Sequence, residues 1–436
     1  MLADKTTLAD LSIFHAEVEQ SIFHYLNFTQ TNTGKEYLRQ LLSHPLGNIP
    51  AIENTQQTIQ ALGEIACDWP VSISNGTLMV LEKFYETPID KLPAKAGIMI
   101  GWYYRIISAT DYSLTRYTVQ HAIDFTKGMA SIMILLEKGN SSFIIDWRQR
   151  IKKLLQRAEI SDLFQADRNQ LTIEEVISLG SFLRNVYKSA LLELIDIYYQ
   201  IDAYMSLAVA GEKWGLQFPT FIDSEDTRME AEELFHILLP VPVPYTLSLK
   251  KESNFIFLTG ANMAGKSTFI KAIGIAAYLA HIGMGVPAKK MTISLLHGIV
   301  SNIQITDNII KGESFFYNEV QRIKSTLEKV KTGFKWLILI DELFKGTNQE
   351  DAIRCSTAVM EGLRKNSECL FVISTHLYEI GKTLTKYNNI QFHYFETSLA
   401  AGELCFSYQL KRGISNDRLG YLILQKEGVL EILNKL

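Results

Sequence analysis

Between residues 10 and 230 apolar side chains recur at helical spacing and glycines are few. This pattern predicts helices over 19–28, 35–42 and 51–65, with Pro45 and Pro50 marking breaks. Residues 174–207 read as one long amphipathic helix, or as two with a joint near Ser189. From about residue 230 the pattern changes. Short runs rich in Ile, Phe and Val at 255–258, 299–303, 336–340 and 369–373 alternate with helical segments, as the strands of a parallel sheet do. The expected fold class is therefore α + α/β: an all-helical half joined, near 218–234, to an α/β half with a mainly parallel sheet.

The first of these runs, Phe255-Ile256-Phe257-Leu258, leads into Gly260, Ala261, Asn262, Met263, Ala264, Gly265, Lys266, Ser267 and Thr268. Two glycines with four residues between them, followed by Lys and Ser, form the phosphate-binding loop pattern. The glycines let successive backbone N–H groups turn toward phosphates, and a helix N-terminus behind the loop adds its dipole. Lys266 suits the β and γ phosphates, and the Ser267 hydroxyl suits one position on Mg²⁺. A chance glycine turn would account for neither the strand before the loop nor the acidic strand end downstream. That strand end is Asp341-Glu342. Asp341 is placed to hold the magnesium shell, and Glu342 to orient and deprotonate an attacking water. A further strand is expected to end in Ser374-Thr375-His376, where the imidazole can polarise the region of a γ-phosphate. Gly312-Glu313-Ser314-Phe315-Phe316 opens a helix expected over 317–330, whose N-terminus is a second anion site. Taken alone, Ser314 also reads as a helix cap and His376 as a structural histidine.

Composition narrows the class. With 47% hydrophobic and 21% charged residues in 436, the chain reads as soluble and globular, with two or three domains. A net charge of −4 excludes a strongly basic protein but leaves room for a local basic face. Arg148, Arg150, Lys152, Lys153 and Arg157 form one such stretch. Its plain reading is a solvated helix face, and its functional one is contact with a nucleic-acid backbone. Cys67, Cys355, Cys369 and Cys405 show no CxxC pairing and read as packing residues in a reducing compartment. His236 reads as a buried, hydrogen-bonded core histidine. Neither a secretory leader nor the ~20 unbroken apolar residues of a membrane span is visible. A cytoplasmic protein without a membrane partner is expected.

The motif set resembles that of the MutS family of mismatch-repair ATPases. The likeness lies in Thr259 to Thr268 with its Asn-Met pair, then Gly283…Val286-Pro287-Ala288, Lys311-Gly-Glu-Ser-Phe-Phe316…Glu319, Asp341-Glu-Leu-Phe-Lys-Gly-Thr347 and Ser374-Thr-His376…Glu379. Thr29-Gln-Thr-Asn-Thr-Gly34 through Leu42, with Pro45-Leu46, is similar to the start of the family's core or lever domain. The stretch 66–170 is the weakest part of the match. The resemblance implies a helical lever domain at 1–230, an ABC-type P-loop ATPase domain at 231–412 and a short C-terminal helical dimerisation segment at 413–436. It implies ATP and Mg²⁺ as cofactors, with Lys266 and the loop amides on the phosphates and Asn262 near the γ-phosphate. Ser267 and Asp341 would serve the metal, Glu342 would be the general base and His376 a switch residue. Ser314 would reach the nucleotide of the other subunit of a homodimer.

Ala261 and Ala264 replace the family's usual Pro and Gly, and Phe344-Lys345 its usual Gly-Arg. The aromatic expected to stack on adenine falls among Pro242, Val243 and Pro244, with Tyr245 close by. The family's N-terminal mismatch-reading and connector modules have no counterpart in these residues. Phe84-Tyr85-Glu86 has the form of a base-probing pair but lies in the wrong module. The expected function is a DNA-binding ATPase, an ATP-driven homodimeric clamp on double-stranded DNA in mismatch repair or related transactions, with a protein partner supplying lesion recognition. The alternative is a nucleotide switch acting on a protein, ribosome or branched-DNA partner.

Overall fold

Apolar runs without polar alternation fit strands covered on both faces. They form the centre of a seven-stranded sheet in the computed structural model, which describes residues 1–89, 92–93, 98–156, 160–261, 263–303, 315–400, 403–415 and 432–433. In chain order the strands are β1 (Leu2–Ala3), β2 (Thr220–Ile222), β3 (Met229–Leu234), β4 (Tyr245–Leu249), β5 (Phe255–Thr259), β6 (Lys290–Ser294), β7 (Gly298–Asn302), β8 (Trp336–Asp341), β9 (Leu370–Ser374), β10 (Ile390–Ala400) and β11 (Glu403–Arg412). The large sheet has the order β1-β7-β8-β9-β5-β10-β11 and is parallel except for the terminal β10–β11 hairpin. Helices Lys266–Ile282, Phe315–Val330, Gln349–Leu363 and Tyr378–Leu384 belong to the same unit. A smaller sheet, β2-β6-β3-β4, is mixed. The α + α/β class is as the sequence predicts.

Contacts divide the chain into two units. One comprises Met1–Tyr25, His44–Ile52 and Lys213–Leu436; the other comprises Leu26–Ser43 and Glu53–Glu212. The contact-based split differs from a cut at 230, because the first residues join the α/β unit. β1 extends the sheet edge beside β7. Asp4 caps the helix Lys5–Asp10 and pairs with Arg322 at 2.8 Å and Lys329 at 3.1 Å. The Asp10 carboxylate accepts the Ser301 hydroxyl at 2.5 Å and the Ile303 N–H at 2.9 Å.

The second unit is all helical, built from Asn32–Ser43, Asn75–Glu86, Ile98–Ile107, Ala109–Leu135, Ser142–Leu155, Ile173–Asn185 and the long helix from Lys188, together with shorter turns. Two helices cover the region predicted as one or two, and the joint falls at Val186–Tyr187, slightly before Ser189. There Tyr187 turns inward and its hydroxyl donates to the Leu154 carbonyl at 2.9 Å. The helix expected over 19–28 is broken into the turn Val18–Gln20 and the short helix Ile22–Leu26. The N–H groups of Ile22 and Phe23 donate instead to the carbonyls of Ser12 and Ile13. Among the described residues no helix is long and apolar enough to cross a membrane. Most of the expected segment 413–436 lies outside the described residues.

Candidate nucleotide site

The C-terminal ends of adjacent parallel strands are where an open α/β sheet gathers polar groups. Here β5 ends at Thr259, β8 at Asp341 and β9 at Ser374, and β9 lies between the other two. From Thr259 the chain turns through Gly260, with φ of 143°, and Gly265, with φ of 108°, into the helix Lys266–Ile282. Both angles suit only glycine without strain. A Cβ on Gly260 would also press on the Phe395 backbone at 3.3 Å. Met263 adopts φ of 69° and is exposed. Ala264 is buried, and its N–H donates to the Ala261 carbonyl, so alanine fits that turn. The Lys266 ammonium curls back and donates to the carbonyls of Gly260 at 2.8 Å and Ala261 at 2.9 Å. Burial lowers its pKa from the usual lysine value, and an anion brought beside it would oppose that shift.

Across from the loop, the Asp341 carboxylate accepts hydroxyl hydrogens from Ser267 and Ser374, one on each oxygen. Glu342 follows in a left-handed conformation, φ 64°, with its N–H on the Ser374 carbonyl at 3.1 Å. Its two oxygens meet different side chains: His376 Nδ1 lies 3.5 Å from Oε1, and Lys345 Nζ lies 3.4 Å from Oε2. The His376 contact, with help from Lys345 and Lys266, holds the Glu342 pKa down at about 2 against the upward pull of burial. Predicted residues Gly265, Lys266, Ser267, Thr268, Asp341 and Glu342 therefore share one cavity of about 650 Å³. Asn262, Ser314 and Arg157 lie outside the described residues.

Of the rest of the cavity, the sequence pointed only to the stretch around Val243 and Tyr245. Leu239, Val241 and Val243 form an apolar wall, and Tyr408 from β11 reaches in from the far edge of the sheet. A Cβ on Gly265 would come within 3.4 Å of the Tyr408 ring. Tyr245, the aromatic expected near a base, is largely buried, its ring set edge-on against Phe269 and Phe395. Tyr408 is the more exposed aromatic, and its strand was legible: Leu404, Phe406, Tyr408 and Leu410 alternate with period two.

Other sequence candidates settle differently. Helix Ser142–Leu155 buries Ile144, Trp147, Ile151 and Leu154 and turns Lys152 and Lys153 outward, with Arg148 half-buried. Arg150 is engaged by Glu193 at 3.1 Å and Asp146 at 3.3 Å, so it would have to exchange carboxylates for phosphates. Phe84 is fully buried and the Tyr85 hydroxyl donates to Leu183, which makes that string core rather than a probe. His236 is buried and accepts the Leu238 N–H, as expected. Cys369 is buried but Cys67 is exposed, so Cys67 does not pack as expected.

Comparison with known proteins matches residues 6–208 to MutS domain III and residues 256–433 to MutS domain V. The chain belongs to the MutS family. Among similar MutS relatives, the DNA mismatch repair protein spellchecker 1 of Drosophila melanogaster is 28% identical over 58% of this chain and 28% of its own length. The DNA mismatch repair protein MutS of Petrotoga mobilis is 27% identical over 69% of this chain and 38% of its own length. That of Pseudothermotoga lettingae is 29% identical over 53% and 28%. The chain thus spans about a third of the length of the MutS relatives it matches.

Proposed function

We propose that this MutS-family chain binds ATP with Mg²⁺ and hydrolyses it, and that it works as an ATP-driven homodimeric clamp on double-stranded DNA, in mismatch repair or a related transaction. The observation that carries the reading is the convergence of Lys266, Ser267, Asp341 and Glu342, from beyond the ends of β5 and β8, on one cavity with an apolar wall. That wall suits a base, and the loop suits a triphosphate. Ser267 and Asp341 are hard oxygen donors, which fits Mg²⁺. Among the described residues no cluster of three or more His, Cys, Asp or Glu would hold a metal unaided, so phosphate oxygens would complete the shell. When bound, the ion would neutralise phosphate charge. Lys266 would leave its own loop carbonyls for the phosphates, and Glu342 would take a proton from the attacking water at a carboxylate oxygen. His376, half-exposed beside Oε1, would respond to the phosphate as the switch. Ser314 would act on the partner subunit's nucleotide, so hydrolysis would report dimer geometry.

A second reading, a nucleotide switch acting on a protein partner, has one observation in its favour. Helix Ile98–Ile107 exposes Met99, Trp102, Tyr103, Ile106 and Ile107 together, the kind of apolar patch that marks contact with another macromolecule.

ATPase turnover with no DNA and with duplex, mismatched and branched DNA separates the two. Stimulation by one DNA supports the clamp, and none by any supports the protein partner. Glu342→Gln is expected to keep binding a fluorescent ATP analogue while losing turnover by about 10²-fold or more. Unchanged hydrolysis would remove Glu342 from the mechanism.

A further inference from the structure

Glu319 lies outside the proposed catalytic set, yet its side chain is only 2% exposed and its carboxylate is fully committed. One oxygen accepts the N–H of Lys345 at 3.1 Å and the other the N–H of Gly346 at 3.2 Å. Glu319 belongs to helix Phe315–Val330, whereas Lys345 and Gly346 follow the acidic strand β8. A second strap runs alongside: the Phe344 ring, buried, sits 5.7 Å from that of Phe316 on the same helix. The turn between them is forced, since Glu342 and Phe344 both adopt positive φ, 64° and 59°. That double reversal brings the Lys345 ammonium back over the carboxylate three residues earlier, 3.4 Å from Glu342 Oε2. A flexible lysine would not hold a partly exposed pair in one geometry by itself, because ordering its side chain costs about as much as the contact returns. Here the backbone is anchored by one hydrogen bond from Lys345 and one from Gly346 to a buried carboxylate.

We propose that Lys345 is a positioning residue that fixes the orientation of Glu342, and that Glu319 sets where Lys345 stands, so that the pose of helix Phe315–Val330 is read directly at the base. This deepens the ATPase reading and rests on it. The orientation of Glu342 depends on Lys345 holding Oε2, because His376 on Oε1 comes from a different strand end and is half-exposed. A shift of the helix would carry Glu319, then the Lys345 backbone, then the ammonium, with no rearrangement of the phosphate loop. Regulation of turnover would thus be separable from nucleotide binding.

The test is steady-state ATP hydrolysis by Lys345→Met, Lys345→Arg and Glu319→Gln in the full chain, with ATP-analogue affinity and thermal melting measured alongside. Lys345→Met is expected to lower kcat at least 10-fold with KM changed less than 3-fold, and Lys345→Arg to restore most of it. Glu319→Gln, which sets an amide donor against one of the two N–H groups, is expected to follow Lys345→Met in kcat while its nucleotide affinity stays near the parent's. Wild-type kcat in Lys345→Met would overturn the proposal. So would a rise in KM that accounts for the loss, which would make Lys345 a phosphate contact, or a loss that arginine fails to rescue. Should Glu319→Gln melt early, the Lys345 pair still decides the matter. If Glu342→Gln itself hydrolyses normally, the ATPase assignment of Glu342 fails first, and that outcome is distinct from normal turnover in Lys345→Met alone.

Discussion

Acidification from pH 7 to pH 5 should weaken the nucleotide-type unit through two buried imidazoles, and His281 shows why. It sits fully buried in the last turn of the helix that leaves the phosphate loop. Its Nδ1 lies 2.8 Å from the Ala277 carbonyl, which can only accept, and its Nε2 lies 3.0 Å from the Leu296 N–H, which can only donate. The partners therefore require a neutral ring with its hydrogen on Nδ1. A second proton on Nε2 would face the Leu296 N–H with no solvent to receive it. Burial accordingly lowers the His281 pKa to about 4 from the ordinary 6.5, and burial followed by Lys271 lowers that of His236 to about 4 as well. Between these values the unfolded chain binds protons that the folded one refuses, so stability falls as pH is lowered through the window from 6.5 toward 4. Each ring then costs about 2 kcal/mol between pH 7 and pH 5, or about 4 kcal/mol together. Carboxylates with lowered pKa, such as Glu342, lose their contribution mainly below that range. Urea unfolding followed by circular dichroism at pH 7, 6 and 5 measures the slope. His281→Gln, whose side-chain oxygen can still accept from Leu296, should lose about half of the wild-type slope whatever its absolute stability. An unchanged slope would refute the argument.

Other consequences concern packing. A Cβ on Gly34 would lie 2.3 Å from Asp202 Oδ2 and 2.6 Å from Thr31 Oγ1. It would disturb a buried carboxylate that accepts the N–H groups of Gln30 and Thr31 and the Thr31 hydroxyl. Gly34→Ala should cost about 2–4 kcal/mol in chemical denaturation, whereas Gly211→Ala, with nothing within 4 Å in the same unit, should gain up to about 1 kcal/mol. Equal effects at the two sites would be inconsistent with this packing account. Phe344→Gly relieves about 1–2 kcal/mol of left-handed strain but forfeits roughly 3–5 kcal/mol of ring burial. A net loss of about 2 kcal/mol is expected, and a more stable variant would show that the Phe316 contact contributes little.

What the sequence disclosed follows from where the physical signal is local. Strands β5, β7, β8 and β9 are covered on both faces, so their composition alone gives them away, and the phosphate loop is one contiguous string. Lys266, Ser267, Asp341 and Glu342 could be placed because each lies at or just beyond the end of such a strand. Tyr408 was missed although its strand alternates, because the motif reading stopped at His376. The link from Glu319 to Lys345 was invisible, since hydrogen bonds from a carboxylate to backbone N–H groups leave no mark on the receiving residues' identities. The Arg150 ion pairs with Asp146 and Glu193 likewise depend on helix packing that periodicity does not register. The packing of residues 1–25 on the α/β unit left no trace in the sequence, because β1 is only two residues long and the ties of Asp4 run to partners such as Arg322, some three hundred positions away.

The helical unit thus lies in sequence between parts of the other, in two segments, and this bears on biosynthesis. The edge strand β1 leaves the ribosome well before β7 and the cation at Arg322, with both segments of the helical unit made in between. Until then the Asp4 carboxylate lacks its Arg322 and Lys329 cations, and β1 lacks the strand it pairs with. A recombinant piece starting at Lys213 would present β7 as a bare edge open to pairing with other copies. Workable dissection of this protein would therefore keep Met1–Tyr25 and His44–Ile52 together with the part from Lys213 onward.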